Sequence, residues 1–134
     1  MILGIGSDLV NTKRIDHLLR AFNPRFKNRV FTLLEQTYCD RQYHVASSYA
    51  KRFAAKEACA KALGLGFQAG IRWIDIEILN TPEGKPFLTL KGEALVHLKK
   101  LLIGLPKEAE PRLDLSLCDE GFLAHAFVVI SYQY

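Results

Sequence analysis

The sequence predicts an α+β fold in which a mainly antiparallel sheet packs against one long helix. Three observations lead there. Short runs rich in Ile, Leu and Val lie near both termini and around residue 75, an alanine-rich stretch free of Gly and Pro fills 46–63, and helical spacings fall between strand pairs. At 134 residues the chain fits a single domain spanning 1–134. Hydrophobic residues are 49% and charged residues 24%, ordinary globular values that exclude a disordered or fibrous chain.

Residues 2–10 are short, apolar and punctuated by glycine, the pattern of a buried strand with Asp8 near its end. Asn11 or Thr12 then caps a helix whose Ile15, Leu18, Leu19 and Phe22 recur at helical spacing until Asn23-Pro24 stops it. Phe26, Val30 and Phe31 suggest a further helical turn, with Phe22, Phe26 and Phe31 as core positions. Thr32 and Glu35 form a capping box for a helix running to about Cys39. The clearest helix is 46–63, where Ala50, Ala54, Ala58 and Ala62 make one i,i+4 row of small residues and Gly64 stands at the end. Small side chains there permit close packing.

Trp73 opens a predicted strand over 73–79, in which Ile74, Ile76 and Ile78 alternate with Asp75 and Glu77. A turn over 80–84 leads to its hairpin partner at 87–90. Residues 92–103 are expected to be helical and 104–111 a loop; 113–117 and 122–132 form a closing hairpin around Asp119-Glu120-Gly121.

Charge is unevenly placed. Eighteen Lys and Arg against fourteen Asp and Glu give +4, yet 11–31 alone holds six bases (Lys13, Arg14, Arg20, Arg25, Lys27, Arg29) and one acid, Asp16. That +5 segment favours an acidic partner, or else is a solvated face. Cys39, Cys59 and Cys118 have no CxxC spacing, which points to reduced thiols in a cytosolic protein. The N-terminus lacks the basic region of a secretion signal, and no run of apolar residues is long enough to span a membrane. His17, His44, His97 and His125 lack zinc-site spacing, and no Walker sequence occurs. Gly4-x-Gly6 lacks the third glycine of a dinucleotide fingerprint, because Leu9 stands there. The segment 64–70, with Gly64, Gly66 and Gly70, is either a helix C-cap or a loop that admits a ligand.

Glu57 and Lys61 lie one helical turn apart, in the order that also suits an ordinary surface ion pair. Their surroundings decide between the two. Phe53-Ala54-Ala55-Lys56-Glu57-Ala58-Cys59-Ala60-Lys61-Ala62 together with Gly4-Ile5-Gly6-Ser7-Asp8 resembles the two signatures of the 4'-phosphopantetheinyl transferases, in the short group of holo-acyl-carrier-protein synthases. Lys13-Arg14-Ile15, Gly84-Lys85-Pro86 and Ser116-Leu117-Cys118-Asp119-Glu120 are similar to that family at matching intervals. Asp119 stands where many relatives carry histidine.

The resemblance implies the 4'-phosphopantetheinyl transferase fold and transfer of phosphopantetheine from coenzyme A to a serine of acyl carrier protein, for fatty acid biosynthesis. It implies magnesium held by Asp8 and Glu57, a metal that commonly takes one or two protein carboxylates and fills its octahedron with water and phosphate oxygens. Lys61 contacts phosphate and stabilises the leaving group. Glu57, a metal-associated water or a deprotonated Lys61 could each accept the serine proton. By the same resemblance, Lys85 and Pro86 are expected near the coenzyme A nucleotide. The resemblance further implies that Arg14, Leu18, Arg25 and Arg29 dock the carrier protein, and the short chain resembles members that assemble as a homotrimer with active sites between neighbours. Lys56, about 100° from Glu57 around the helix, is expected on a neighbouring face as a solvated charge or a phosphate-tracking cation. Two rival readings are a nucleic-acid-binding module using 11–31 and an inactive relative that only binds coenzyme A or carrier protein. Missing RNA- and DNA-binding signatures oppose the first, and retention of Asp8, Glu57 and Lys61 opposes the second.

Overall fold

The computed structural model describes residues 1–64, 66–68 and 70–134. In chain order the elements are β1 (Ile2–Asn11), α1 (Thr12–Ala21), α2 (Arg25–Val30), α3 (Leu33–Asp40), α4 (Val45–Ala62), β2 (Ile76–Asn80), β3 (Pro86–Leu90), α5 (Gly92–Leu101), β4 (Glu110–Glu120) and β5 (Leu123–Gln133). One antiparallel sheet has the order β1-β5-β4, and β2 with β3 makes a separate antiparallel pair. The α+β class and the packing of sheet on long helix are as the sequence predicts.

Alternation along β1 and β5 divides the large sheet cleanly. Gly6, Val10, Ala124, Ala126, Val128 and Ile130 point to one face and are buried, while Ile5, Leu9, Leu123 and Phe127 on the other face are exposed. Against the buried face lies α4, whose alanine row (Ala50, Ala54, Ala58, Ala62) is buried throughout. The approach is closer than side chains allow. A methyl group at Gly6 would collide with the Ala58 carbonyl oxygen, and one at Gly4 with that of Ala62. Gly4-x-Gly6 is thus a helix-to-strand contact point, which accounts for the two glycines without any phosphate.

Local signals placed the helix ends. Asn11, not Thr12, caps α1, accepting the Lys13 N–H at 2.8 Å. The Thr32–Glu35 capping box is formed at the start of α3. Leu63 is the C-cap of α4, followed by Gly64 at φ +90°. The rest of the Gly64–Gly70 reading falls partly on Leu65 and Ala69, outside the described residues.

Four expectations need correction. The strand predicted from Trp73 begins only at Ile76, because Trp73–Asp75 form a 3-10 turn closed by the buried Asp75 carboxylate, which accepts the Arg72 N–H at 3.0 Å. The closing hairpin is longer than predicted, since β4 starts at Glu110 inside the expected loop. Phe22 is not core: it caps the C-terminal end of α1 and is 52% exposed, whereas Phe31 is buried. Lys56 is not on the surface at all. It is fully buried and ion-paired with Glu35 at 2.7 Å.

Candidate active site

Asp8 lies on the helix-facing side of β1, two residues beyond Gly6, so the close glycine contact brings its carboxylate to α4. There the Lys61 ammonium donates to Asp8 Oδ1 at 3.1 Å and to the Ser7 carbonyl oxygen at 3.0 Å. Asp8 is mostly covered at 18% exposure, and Lys61 is half exposed at 51%. Glu57 is one turn before Lys61 and partly buried. Its carboxyl is held above the ordinary carboxylate range, first by burial and then by the Asp8 charge, with Lys61 and Arg14 opposing. Two carboxylates thus stand close enough for one to raise the other's proton affinity, beside the Lys61 ammonium.

Among the described residues no three His, Cys, Asp or Glu side chains converge. The donor set is therefore two carboxylates without nitrogen or sulfur, which fits a hard cation that keeps several waters and takes substrate oxygens. Magnesium meets that description. Calcium, which favours six to eight oxygens, fits less well.

Arg14 projects from α1 and its guanidinium lies 5.9 Å from the Phe53 ring, one turn before Glu57 on α4. Leu18 is half-buried, packed on the core beside it. Arg25 and Arg29 on α2 are exposed, with no ion pair among the described contacts. In contrast, Arg20 pairs with Asp16, and Lys27 with Asp40. Four of the six bases of 11–31 thus make no ion pair among the described residues: Arg14, Arg25, Arg29 and Lys13, the last lying 4.0 Å over the Phe122 ring.

Pro86 sits elsewhere. It borders a cavity of about 460 Å³ between the N-terminal half of α4 and the β2–β3 turn, with Lys51, Arg52, His44, Ser47 and Asn80 in its wall. Neither Asp8, Glu57 nor Lys61 lines it, and Lys85 stands exposed at its rim, its N–H donating to Thr81 Oγ1 at 3.1 Å. Arg52 is buried over the Tyr38 ring, donates to Ser48 Oγ and Asn80 Oδ1, and leaves its Nε without an acceptor among the described residues. Asp119 reaches the same cavity, accepting from Ser47 Oγ at 2.5 Å with Lys51 at 4.0 Å. Sequence reasoning missed Lys51 and Arg52. Their signal was present as two adjacent bases on α4, but only the fold shows that they flank Pro86.

Comparison with known proteins gives the family. The model of the 4'-phosphopantetheinyl transferase superfamily matches residues 4–116. The chain belongs to that superfamily. Within it, a holo-[acyl-carrier-protein] synthase of Azorhizobium caulinodans is 50% identical over 99% of this chain and 96% of its own length. One from Methylorubrum extorquens is 52% identical over 97% and 93%. Among solved structures, the synthase of Neisseria meningitidis superposes with a TM-score of 0.81 at 37% identity, covering 98% of this chain and 99% of that one. The Helicobacter pylori synthase, solved in complex with coenzyme A, gives 0.78 at 31% identity over 95% and 99%. The short synthase group inferred from the two motifs is the group these relatives name.

Proposed function

We propose that this protein is a magnesium-dependent holo-acyl-carrier-protein synthase, which moves 4'-phosphopantetheine from coenzyme A to a serine of apo acyl carrier protein in cytoplasmic fatty acid biosynthesis. The observation that carries this reading is the meeting of Asp8, Glu57 and Lys61 where β1 touches α4, two acids and a base brought together from opposite parts of the sequence. The reaction joins the serine oxygen to the phosphorus that carries pantetheine and breaks that phosphorus's bond to adenosine 3',5'-bisphosphate. Asp8 and Glu57 would hold the magnesium, which when bound neutralises charge on the pyrophosphate. Lys61, partly exposed and already directed at Asp8, donates to phosphate oxygens and favours the leaving bisphosphate. The serine proton passes to a base, for which Glu57, a metal-associated water and a deprotonated Lys61 are the candidates.

The cavity beside Lys85 and Pro86 takes the nucleotide end of coenzyme A. Lys51 in its wall suits a phosphate there. Arg14, Arg25 and Arg29, with Leu18 as an apolar anchor, receive the acidic carrier protein. Separation of the cavity from Asp8, Glu57 and Lys61 supports a site completed by a neighbouring copy, with the whole chain 1–134 as one unit of a homotrimer. The exposed sheet face of Ile5, Leu9, Leu123 and Phe127 is an apolar surface of the kind such an assembly covers. No described helix is long and apolar enough to cross a membrane, and no role for nucleic acid enters this reading.

The test is incubation with coenzyme A, magnesium and an apo carrier protein, followed by mass spectrometry. The carrier protein is expected to gain one phosphopantetheine group, with equimolar release of adenosine 3',5'-bisphosphate. An unchanged carrier protein in the presence of all three components contradicts the assignment.

A further inference from the structure

Lys56 adjoins Glu57 in sequence but projects about 100° away around α4, into a closed cage. Its ammonium has three N–H donors and meets three acceptors: the Val30 carbonyl at 2.7 Å, Glu35 Oε1 at 2.7 Å and the Trp73 carbonyl at 3.1 Å. Glu35, equally buried, also accepts the Thr32 N–H through Oε1 at 2.9 Å and the Ile78 N–H through Oε2 at 3.0 Å. One ion pair thus ties α4 to the end of α2, the start of α3, the turn before β2, and β2 itself.

Burial opposes the charge on Lys56 and offsets much of the attraction within the pair, while the backbone groups of Val30, Thr32, Trp73 and Ile78 hydrogen-bond to it. What it adds is direction, because the three hydrogen bonds of Lys56, to the end of α2, to Glu35 of α3 and to the turn before β2, are lost together if α4 rotates or slides, while Glu35 is itself held by the Thr32 and Ile78 N–H groups. The opposite side of α4 offers no such lock. Ala58 and Ala62 against Gly6 and Gly4 set how closely helix and strand approach, but small residues present shallow ridges that resist sliding weakly.

We propose that the buried Lys56–Glu35 pair fixes the rotation and axial position of α4 so that Glu57 and Lys61 meet Asp8, making Lys56 and Glu35 positioning residues for the transfer. The inference rests on the functional reading given above for Asp8 and Glu57. Glu35→Asp keeps both charges and draws the carboxylate back by one methylene. The folded variant should lose about tenfold or more in kcat with the KM for coenzyme A nearly unchanged, and should bind Mn2+ about tenfold more weakly, the scale of loss when a supporting contact behind a metal ligand is removed. The Mn2+ measurement is made by EPR with coenzyme A and no carrier protein. Lys56→Met/Glu35→Leu replaces the pair by apolar side chains and should fold, yet show the same loss. Wild-type kcat and Mn2+ affinity in either folded variant would overturn the proposal, as would failure of both to fold, since that would make the pair a folding requirement. A wild-type protein inactive in transfer would sink the functional reading alone, leaving the Mn2+ comparison to decide the positioning role.

Discussion

Glu57 faces opposing demands. As a metal ligand it must be ionised, yet burial and the neighbouring Asp8 charge raise its affinity for a proton when no cation is present. The folded protein then binds that proton more tightly than the unfolded chain. Stability therefore falls as pH rises from the ordinary carboxylate value to the raised one, and above both the ionised carboxylate is a constant destabilising charge. Glu57→Gln should raise the melting temperature of the metal-free protein at neutral pH by roughly a few degrees, with the gain vanishing in acid below the ordinary carboxylate value. A scanning melt across pH checks this; a lower melting temperature for the variant at neutral pH contradicts it. Lys56, the preceding residue, shows where sequence reasoning ends. Its partner Glu35 lies 21 positions away, a distance with no periodic signature, so a basic residue read alone defaults to solvent.

At the scale of elements, legibility followed how local the signal was. The Thr32–Glu35 box, the Asn11 cap and the alanine row of α4 are written within one or two turns of chain, and each formed as read. The start of β2 did not, because Asp75 is turned inward by contacts from far along the chain: its carbonyl accepts the Lys91 N–H at 2.9 Å and its carboxylate packs on Gly92. The contact of β1 with α4 joins both cases, since the glycines were visible but their partner was not. Gly6→Ala forces the strand away from the Ala58 carbonyl and carries Asp8 with it. The expected result is a loss of about 1–3 kcal/mol in unfolding free energy and at least about a hundredfold in kcat, a sensitivity to ångström displacement typical of positioned groups. Denaturant titration and steady-state kinetics measure the two; unchanged kcat would show that the glycine contact does not place Asp8.

For the molecule as a whole, the two motifs named the family, and the fold brings Asp8, Glu57 and Lys61 together. Left out of the sequence were the strand order β1-β5-β4, the cavity of Lys51 and Arg52, and the exposed apolar sheet face, all of which depend on which elements meet in space. Chain order alone does not carry that information. The central claim is that Asp8 and Glu57 jointly hold a divalent cation for phosphopantetheine transfer. It is tested most directly by measuring carrier-protein modification against magnesium concentration for the wild type, Asp8→Ala and Glu57→Ala. Both variants should stay folded and lose about a hundred- to a thousandfold in turnover at limiting magnesium, the scale of removing a principal electrostatic contributor. Near-normal turnover by either variant at limiting magnesium would contradict the account.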